Sequence, residues 1–184
     1  WQHGEYLYVV SGTTFYKVSV SYNDGNVVYN ATAIGTIGNT GPVSMTDNGF
    51  VIFIAANGLG YQYEISTETL LQITGDAFLG ANVVAYNNGY FLYLEPNSQR
   101  FYYVYTFDIG TGDYVFPLVF DATNVLSAEG SPDNLVSMIV DHGEVWLLGE
   151  NSVEVWYQSG SDQVFDRIQG AFNEIGCAAT YSVA

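Results

Sequence analysis

Short apolar segments recur along the chain, and each is followed by a polar turn and a second apolar segment. Three of them end in Asp or Asn, then Asn or His, then Gly: Val43–Gly49, Val83–Gly89 and Ser137–Gly143. Gly4 marks a fourth copy, so that the repeated glycines lie at positions 4, 49, 89 and 143. Four-stranded sheets that recur at about 40 to 50 residues are typical of β-propeller blades.

Each repeat predicts a four-stranded antiparallel meander in which the segment before the glycine is the first strand. The second strands are predicted at Glu5–Ser11, Phe50–Ala56, Tyr90–Glu95 and Glu144–Gly149. The third strands are predicted at Thr13–Val20, Tyr61–Ser66, Phe101–Asp108 and Val153–Ser159. The fourth, outer strands are predicted at Asn26–Tyr29, Leu70–Thr74, Tyr114–Phe120 and Phe165–Gln169.

The turns between the first and second strands carry a hairpin signature. Two-residue hairpin turns of the primed types need positive φ at their central residues, which Gly and Asn tolerate best. Asn48-Gly49 and Asn88-Gly89 therefore fit such turns directly, whereas His142-Gly143 fits less well.

Two second strands are apolar at every position, which predicts that both of their faces are covered. They are Val51–Ile54 and Val145–Leu148. We expect Phe53, Tyr93 and Leu147, each four residues after a repeat glycine, to point into packed interfaces. Trp146 is also expected in the core.

The predicted fold class is all-β: a β-propeller of four-stranded antiparallel blades, forming an incomplete part of a larger propeller. The chain is expected to be a single region of about four blades, at residues 1–37, 43–75, 83–120 and 136–170. Residues 181–184 would start a further blade or complete the first, and the second possibility would close a four-bladed ring. No segment predicts an amphipathic helix.

Composition narrows the class of protein. Of 184 residues, 48% are hydrophobic and 12% are charged, which excludes a disordered chain. No apolar run approaches the ~20 residues that cross a bilayer, so we expect a soluble protein without a membrane contact. The single cysteine, Cys177, excludes an intrachain disulfide.

The charge balance excludes a basic nucleic-acid interface. Three Lys and Arg residues stand against 19 Asp and Glu, which gives a net charge of -16. Binding to the phosphate backbone needs clustered cations, and Lys17, Arg100 and Arg167 are dispersed. We therefore expect no tight direct binding to nucleic acid.

Candidate chemistry is sparse, and we predict no catalytic, cofactor-binding or metal-binding residue. Asp141-His142 with Glu144 could suggest acid-base work or a metal site, but the equivalent positions of the other repeats carry polar turn residues. Aromatic side chains could stack on sugars, although most lie within predicted strands, where they commonly pack in the core. The candidates for stacking are Tyr102, Tyr103, Tyr105, Trp146, Trp156 and Tyr157.

From Ala128 onward the chain resembles the packaged-DNA stabilisation proteins of short-tailed phages, which are tail accessory factors. The segments that carry the resemblance are Ala128–Leu135, Ile139–His142, Trp146-Leu147, Gly149-Glu150, Glu154–Tyr157, Arg167–Gly170 and Gly176–Ala179. Looser agreement extends to Leu7–Gly12 and Gly41–Met45. Members of that family are more than twice as long, which favours a part of a larger propeller.

The resemblance implies a non-enzymatic structural protein of the virion, made in the host cytoplasm and located in the phage tail. It implies that several copies form a homo-oligomeric ring around the tail axis, between a head-to-tail adaptor ring and a tail needle or tip. Such a protein would help close the portal and stabilise packaged DNA. The alternative is a carbohydrate-binding propeller that recognises a receptor, and a glycoside hydrolase is a weaker one.

Overall fold

The computed structural model describes residues 1–38, 41–161 and 163–183. Across these ranges the secondary structure is β-strand and turn, and there is no helix that could cross a membrane. This confirms the all-β fold class.

Within the described ranges, sixteen of the eighteen strands form four antiparallel sheets of four strands each. The first sheet runs in the order β1 (Gln2–His3), β2 (Tyr6–Ser11), β3 (Thr14–Asn23), β4 (Asn26–Thr36). The second runs in the order β5 (Ser44–Asp47), β6 (Val51–Ala56), β7 (Leu59–Glu64), β8 (Thr69–Gln72). The third contains β9 (Val84–Asn87), β10 (Tyr90–Leu94), β11 (Arg100–Tyr105) and, after the short hairpin β12 (Phe107–Asp108) and β13 (Asp113–Tyr114), β14 (Val125–Ser127). The fourth runs in the order β15 (Leu135–Asp141), β16 (Glu144–Gly149), β17 (Val153–Gln158), β18 (Phe165–Asn173).

The sheets stack face to face in chain order. Strand β5 contacts β9, and β9 contacts β15, so the first strands of successive sheets are neighbours. The fourth strands consequently lie at the outer periphery. The sheets do not close on themselves, which fits an incomplete propeller.

Three apolar clusters fill the spaces between the sheets. The first and second sheets enclose Tyr8, Phe15, Ile52, Ile54 and Tyr63. The second and third enclose Val51, Phe53, Phe91, Tyr93 and Tyr102, and the third and fourth enclose Leu92, Leu94, Phe101, Leu147 and Trp156. Because successive residues of a strand point to opposite faces, β6 and β10 each supply two of these clusters.

The predicted burial of Phe53, Tyr93 and Leu147 is confirmed, since each is at most 1% exposed. They do not face the same way, however. Phe53 points towards the third sheet, whereas Tyr93 and Leu147 point back towards the preceding sheet. The first pair of the β5–β6 ladder is Asp47 with Ile52, across a longer connection than in the third and fourth sheets. An equal offset from the glycine therefore does not define an equivalent face.

Two of the three turn predictions change. Asn88-Gly89 and His142-Gly143 both have positive φ at each residue, so His142 fits the primed hairpin as well as Asn88 does. Asn48 is not among the residues with positive φ. Its side-chain carbonyl oxygen instead accepts hydrogen bonds from the amides of Phe50 and Val51, at 3.0 and 2.8 Å, and stabilises the longer connection.

The predicted outer strand Tyr114–Phe120 is wrong, because β14 at Val125–Ser127 takes its place beside β11. Residues 115–124 instead cross to the second sheet, where the amide of Leu118 donates a 2.6 Å hydrogen bond to the buried Gln62. Phe116 and Phe120 pack against the cluster between the second and third sheets. Their apolar side chains give the segment its strand-like pattern, although the segment covers the apolar cluster and does not pair as a strand.

Trp146 is not in the core, since it is 40% exposed while its neighbours Val145 and Leu147 are buried. The fourth sheet has the third sheet on one face, and no described residues form a sheet on the other. The prediction that both faces of Val145–Leu148 are covered is therefore wrong for this chain. Residues 181–183 form a turn and an irregular end rather than a strand, and Ala184 lies outside the described residues.

Two neighbouring tyrosines in the core allow a matched test of hydrogen bonding. The hydroxyl of Tyr63 is buried without a hydrogen-bond partner in the described ranges, whereas the hydroxyl of Tyr61 accepts a 2.7 Å bond from the amide of Gly38. Tyr63→Phe should therefore leave the free energy of unfolding unchanged or raise it by about 1 kcal/mol. Tyr61→Phe should lower it by about 1 kcal/mol, and equal losses for both in denaturant unfolding would contradict this assignment.

Candidate functional site

Several of the residues that carry the family resemblance lie close together beside the fourth sheet. Glu154 on β17 is 2% exposed, and its carboxylate accepts a 3.0 Å hydrogen bond from the indole of Trp156 and another from the amide of Gly130. Arg167 on β18 lies 3.6 Å from the same carboxylate. The negative charge is thus buried with two donors and a cation, as a buried charge requires.

A second carboxylate fastens the same loop at its other end. Asp133 accepts hydrogen bonds from the amides of Asn151 and Ser152, at 2.7 and 3.1 Å, and from the Ser152 hydroxyl at 2.9 Å. Together Glu154 and Asp133 fix residues 128–135 across the turn between β16 and β17. Each polar group buried in this arrangement has a hydrogen-bond or ion-pair partner within the fold. Glu154 and Asp133 therefore form a structural clasp rather than a reaction centre.

Asp141 and His142 lie at the tip of the β15–β16 hairpin. Their side chains are 67% and 91% exposed, and the imidazole nitrogen Nδ1 lies 2.7 Å from the Asp141 carboxylate. The described residues contain no cluster of His, Cys, Asp and Glu able to hold a metal ion. The hairpin therefore offers a polar tip, as its turn sequence predicts.

The contact with Asp141 raises the pKa of His142 above its ordinary value, through the hydrogen bond first and the carboxylate charge second. We expect Asp141→Asn to lower the pKa of His142, because the carboxylate charge is removed and the remaining amide oxygen is a weaker hydrogen-bond acceptor. Glu144→Gln should lower it less, because Glu144 acts only through its more distant charge. An NMR titration of the imidazole would measure both shifts, and an unchanged pKa in Asp141→Asn would contradict the ion pair.

The six aromatic candidates for sugar stacking are not brought together. Tyr102 and Trp156 are buried between sheets. Tyr103 and Tyr105 both pack against Tyr90 on the third sheet. Trp146 and Tyr157, 40% and 42% exposed, share the outer face of the fourth sheet. The structure thus keeps two of the six on one accessible surface.

That surface contains an apolar groove of about 480 Å³. Its lining includes Trp146, Leu148, Val155, Phe172 and Ile175. Asn173 is its one polar side chain besides the indole of Trp146. Sugar sites need several convergent polar groups to bind hydroxyls, so the groove suits an apolar protein surface better than a glycan.

Lys17, Arg100 and Arg167 each form an ion pair with a carboxylate, and the three pairs lie on different parts of the molecule. Lys17 bonds Glu68 at 2.6 Å, and Arg100 makes two 2.6 Å bonds to Glu95. Arg167 faces Glu154. The described part of the chain consequently presents no cluster of free positive charge.

The sheets and their order define the class of the protein: it is a β-propeller, seen here as an open stack of four blades. The chain belongs to the Phage_stabilise family, whose model, described as Bacteriophage P22 Gp10, beta-propeller, matches residues 1–184. The protein is thus a structural protein of a bacteriophage. The family match covers the early repeats as well as the region from Ala128 onward.

Solved structures agree on the fold. The computationally designed protein Ika8 matches with a TM-score of 0.50 and 11% identity, over 91% of this chain and 48% of that chain. A protein described as a 6-phosphogluconolactonase from Bacteroides fragilis matches with a TM-score of 0.58 and 15% identity, over 90% of this chain and 53% of that chain. This chain therefore spans about half the length of both. The comparison with curated proteins gives no match.

The repeats predict the fold, and the segments from Ala128 onward predict the family. Two surfaces are not predicted correctly from the sequence. The sequence predicts that the exposed outer face of the fourth sheet is core, because its residues are as apolar as those of the covered strands. The long hairpin of β3 and β4 was predicted only to Tyr29, although the uninterrupted segment after it, without Gly or Pro until Gly35, could have indicated the longer strand.

Proposed function

We propose that this protein is part of the phage tail, where it helps close the portal and stabilise packaged DNA by connecting a head-to-tail adaptor to the distal tail. The family match over the whole chain carries the proposal. The partners are then other tail proteins, namely the adaptor ring and the needle or tip, and several copies surround the tail axis. The protein acts as a scaffold without catalysis, made in the host cytoplasm and carried in the virion.

The electrostatics support a mechanical role. Retaining DNA and later letting it pass both require a wall that does not bind phosphate tightly. A net charge of -16, with each cation engaged by a carboxylate, repels the DNA backbone at short range. Contacts with the adaptor would then be made by apolar surface, and would be insensitive to salt.

The direct test is a phage in which this gene is disrupted and supplied from a plasmid. Without the protein, particles should fill with DNA and then lose it, so that the DNA becomes accessible to nuclease. Plasmid-borne wild type should restore nuclease-resistant, infectious particles. Retention of DNA by particles that lack the protein would contradict the proposal.

A titration with labelled duplex DNA at low ionic strength separately tests whether the protein acts mechanically, without binding DNA. We expect no binding in the micromolar range, because binding through counterion release needs clustered cations. Micromolar or tighter binding that weakens steeply with added salt would show that the folded surface does grip DNA. A carbohydrate-binding role predicts instead that the isolated protein binds a glycan array.

A further inference from the structure

A polar cleft opens between the first sheet and the turn that joins β7 to β8 in the second sheet. Its volume of about 340 Å³ lies within the usual range of small-molecule sites, about 300 to 1,000 Å³. Six side chains with polar atoms line it: Tyr6, Lys17, Ser19, Asn30, Thr32 and Glu68. The cleft therefore offers the convergent polar groups that the apolar groove of the fourth sheet does not.

The register of the strands places five of these side chains on one face of the first sheet. Tyr6 pairs with Ser19, and Ser19 pairs with Asn30. In the neighbouring row Lys17 pairs with Thr32. Alternate residues of a strand point to the same face, and this face is the one turned towards the second sheet. The five side chains are thus brought together by regular strand pairing, on a rigid part of the fold.

An ion pair joins the two sides of the cleft. The ammonium of Lys17 donates a 2.6 Å hydrogen bond to Glu68 and lies 4.0 Å from the centre of the Tyr6 ring. Glu68 has a positive φ of 56°, whereas the other described residues with positive φ are Gly, Asn, Asp or His, which tolerate this region better. A longer carboxylate is held here at a cost in backbone energy, as is common at functional sites.

Two buried hydroxyl groups lie beside the ion pair. Tyr8 pairs with Lys17 across β2 and β3, and its ring lies 5.6 Å from the ring of Tyr63. Both hydroxyls are buried, without a hydrogen-bond partner among the described residues. Such groups are rare in native proteins, and they are consistent with a polar ligand site on this side of the sheet.

We propose that this cleft binds a short neutral saccharide. A paired ammonium and carboxylate donate and accept hydrogen bonds towards adjacent hydroxyls of a sugar without separating the two charges. Ser19, Asn30 and Thr32 add hydroxyl and amide groups that can do both, and Tyr6 adds an apolar wall. The site gives the protein a binding activity in addition to its scaffold role, and the proposal does not rest on that role.

Charge selects a neutral sugar over an acidic one. The net charge of -16 repels anions, and Lys17 is already paired with Glu68. An anion such as phosphate would have to separate this pair and would then lie beside the released carboxylate. The affinity for a neutral sugar should be insensitive to salt, whereas the affinity for an anion should fall as salt is added.

The test is an NMR titration of the whole chain with glucose, galactose, mannose and N-acetylglucosamine. At least one of these sugars should bind in the millimolar range or more tightly and shift the amide signals of residues 17–19 and 30–32. Glu68→Gln should weaken binding by about tenfold, because hydrogen bonds to a charged acceptor are the stronger ones. Thr32→Val should weaken it by about threefold, since one hydroxyl is lost.

Matched substitutions outside the cleft provide the controls. Glu129→Gln and Thr36→Val make the same chemical changes at exposed positions and should leave the affinity unchanged. The side chains of Glu68 and Thr32 are exposed as well, so all four variants should fold.

Failure of every sugar in the panel to bind would overturn the proposal, as would binding that Glu68→Gln and Thr32→Val leave unchanged. Inorganic phosphate that binds the cleft in preference to the sugars, and is released by added salt, would show an anion site and would equally overturn it. A phage that carries Thr32→Val should retain nuclease-resistant DNA although its purified protein binds sugar more weakly. Loss of packaged DNA from that phage would contradict a binding activity separate from the scaffold role.

Discussion

Phe53→Ala is expected to lower the free energy of unfolding by about 3 to 5 kcal/mol, as aromatic truncations in cores do. Phe53 is 0% exposed, and its ring lies 5.6 Å from that of Phe91 and 6.1 Å from that of Tyr93. Its loss removes contacts with the third sheet and leaves a cavity that strands on both sides cannot collapse to fill. Denaturant unfolding with an unchanged slope would measure the loss.

Trp146→Ala is the matched control, since Trp146 also lies on the second strand of its sheet. It is 40% exposed on the open face of the fourth sheet, so water fills the space and no sealed cavity forms. The loss should be about half that of Phe53→Ala. A larger loss for Trp146→Ala than for Phe53→Ala would mean that the order of packed sheets described here is wrong.

Glu154→Ala should be nearly as damaging, with a loss of about 3 kcal/mol. The substitution leaves the amide of Gly130 and the indole of Trp156 without an acceptor, and Arg167 without its carboxylate. Because the clasp holds residues 128–135 against the fourth sheet, proteolysis in that loop should accelerate along with the fall in stability.

Glu129→Ala provides the comparison, because Glu129 lies in the same loop and is exposed. It should change the free energy of unfolding by less than about 0.5 kcal/mol. If the two variants unfolded at the same denaturant concentration, the buried carboxylate would not be what holds the loop.

The second-strand repeats predicted the sheets well because they combine a local signal with a long-range one. Asn88-Gly89 sets the geometry of a turn, and the apolar segment after it must be buried, so turn and burial agree. The same reasoning fails at Tyr114–Phe120, whose apolar side chains are buried by covering the second sheet rather than by pairing with β11. The pattern of apolar residues shows that a segment is buried, but it does not show which part of the fold the segment packs against.

The same limit explains why the prediction that Trp146 lies in the core is wrong. An apolar residue on an end sheet has the same pattern as one between sheets, and only the stack shows that the fourth sheet has an open face. Conversely, the clasp of Glu154 and Asp133 joins residues far apart in sequence, and charge spacing along strands could not have paired them. The family resemblance pointed to those residues, and the structure supplies their physical reason.

We propose that this propeller is a structural component of the phage tail. Cryo-microscopy of intact virions, with this protein carrying a tag visible as added density, tests it most directly. We predict density for several copies of the propeller around the tail axis, between the adaptor ring and the needle or tip. Virions without that density in the tail, or with the tag on the capsid shell, would contradict the account.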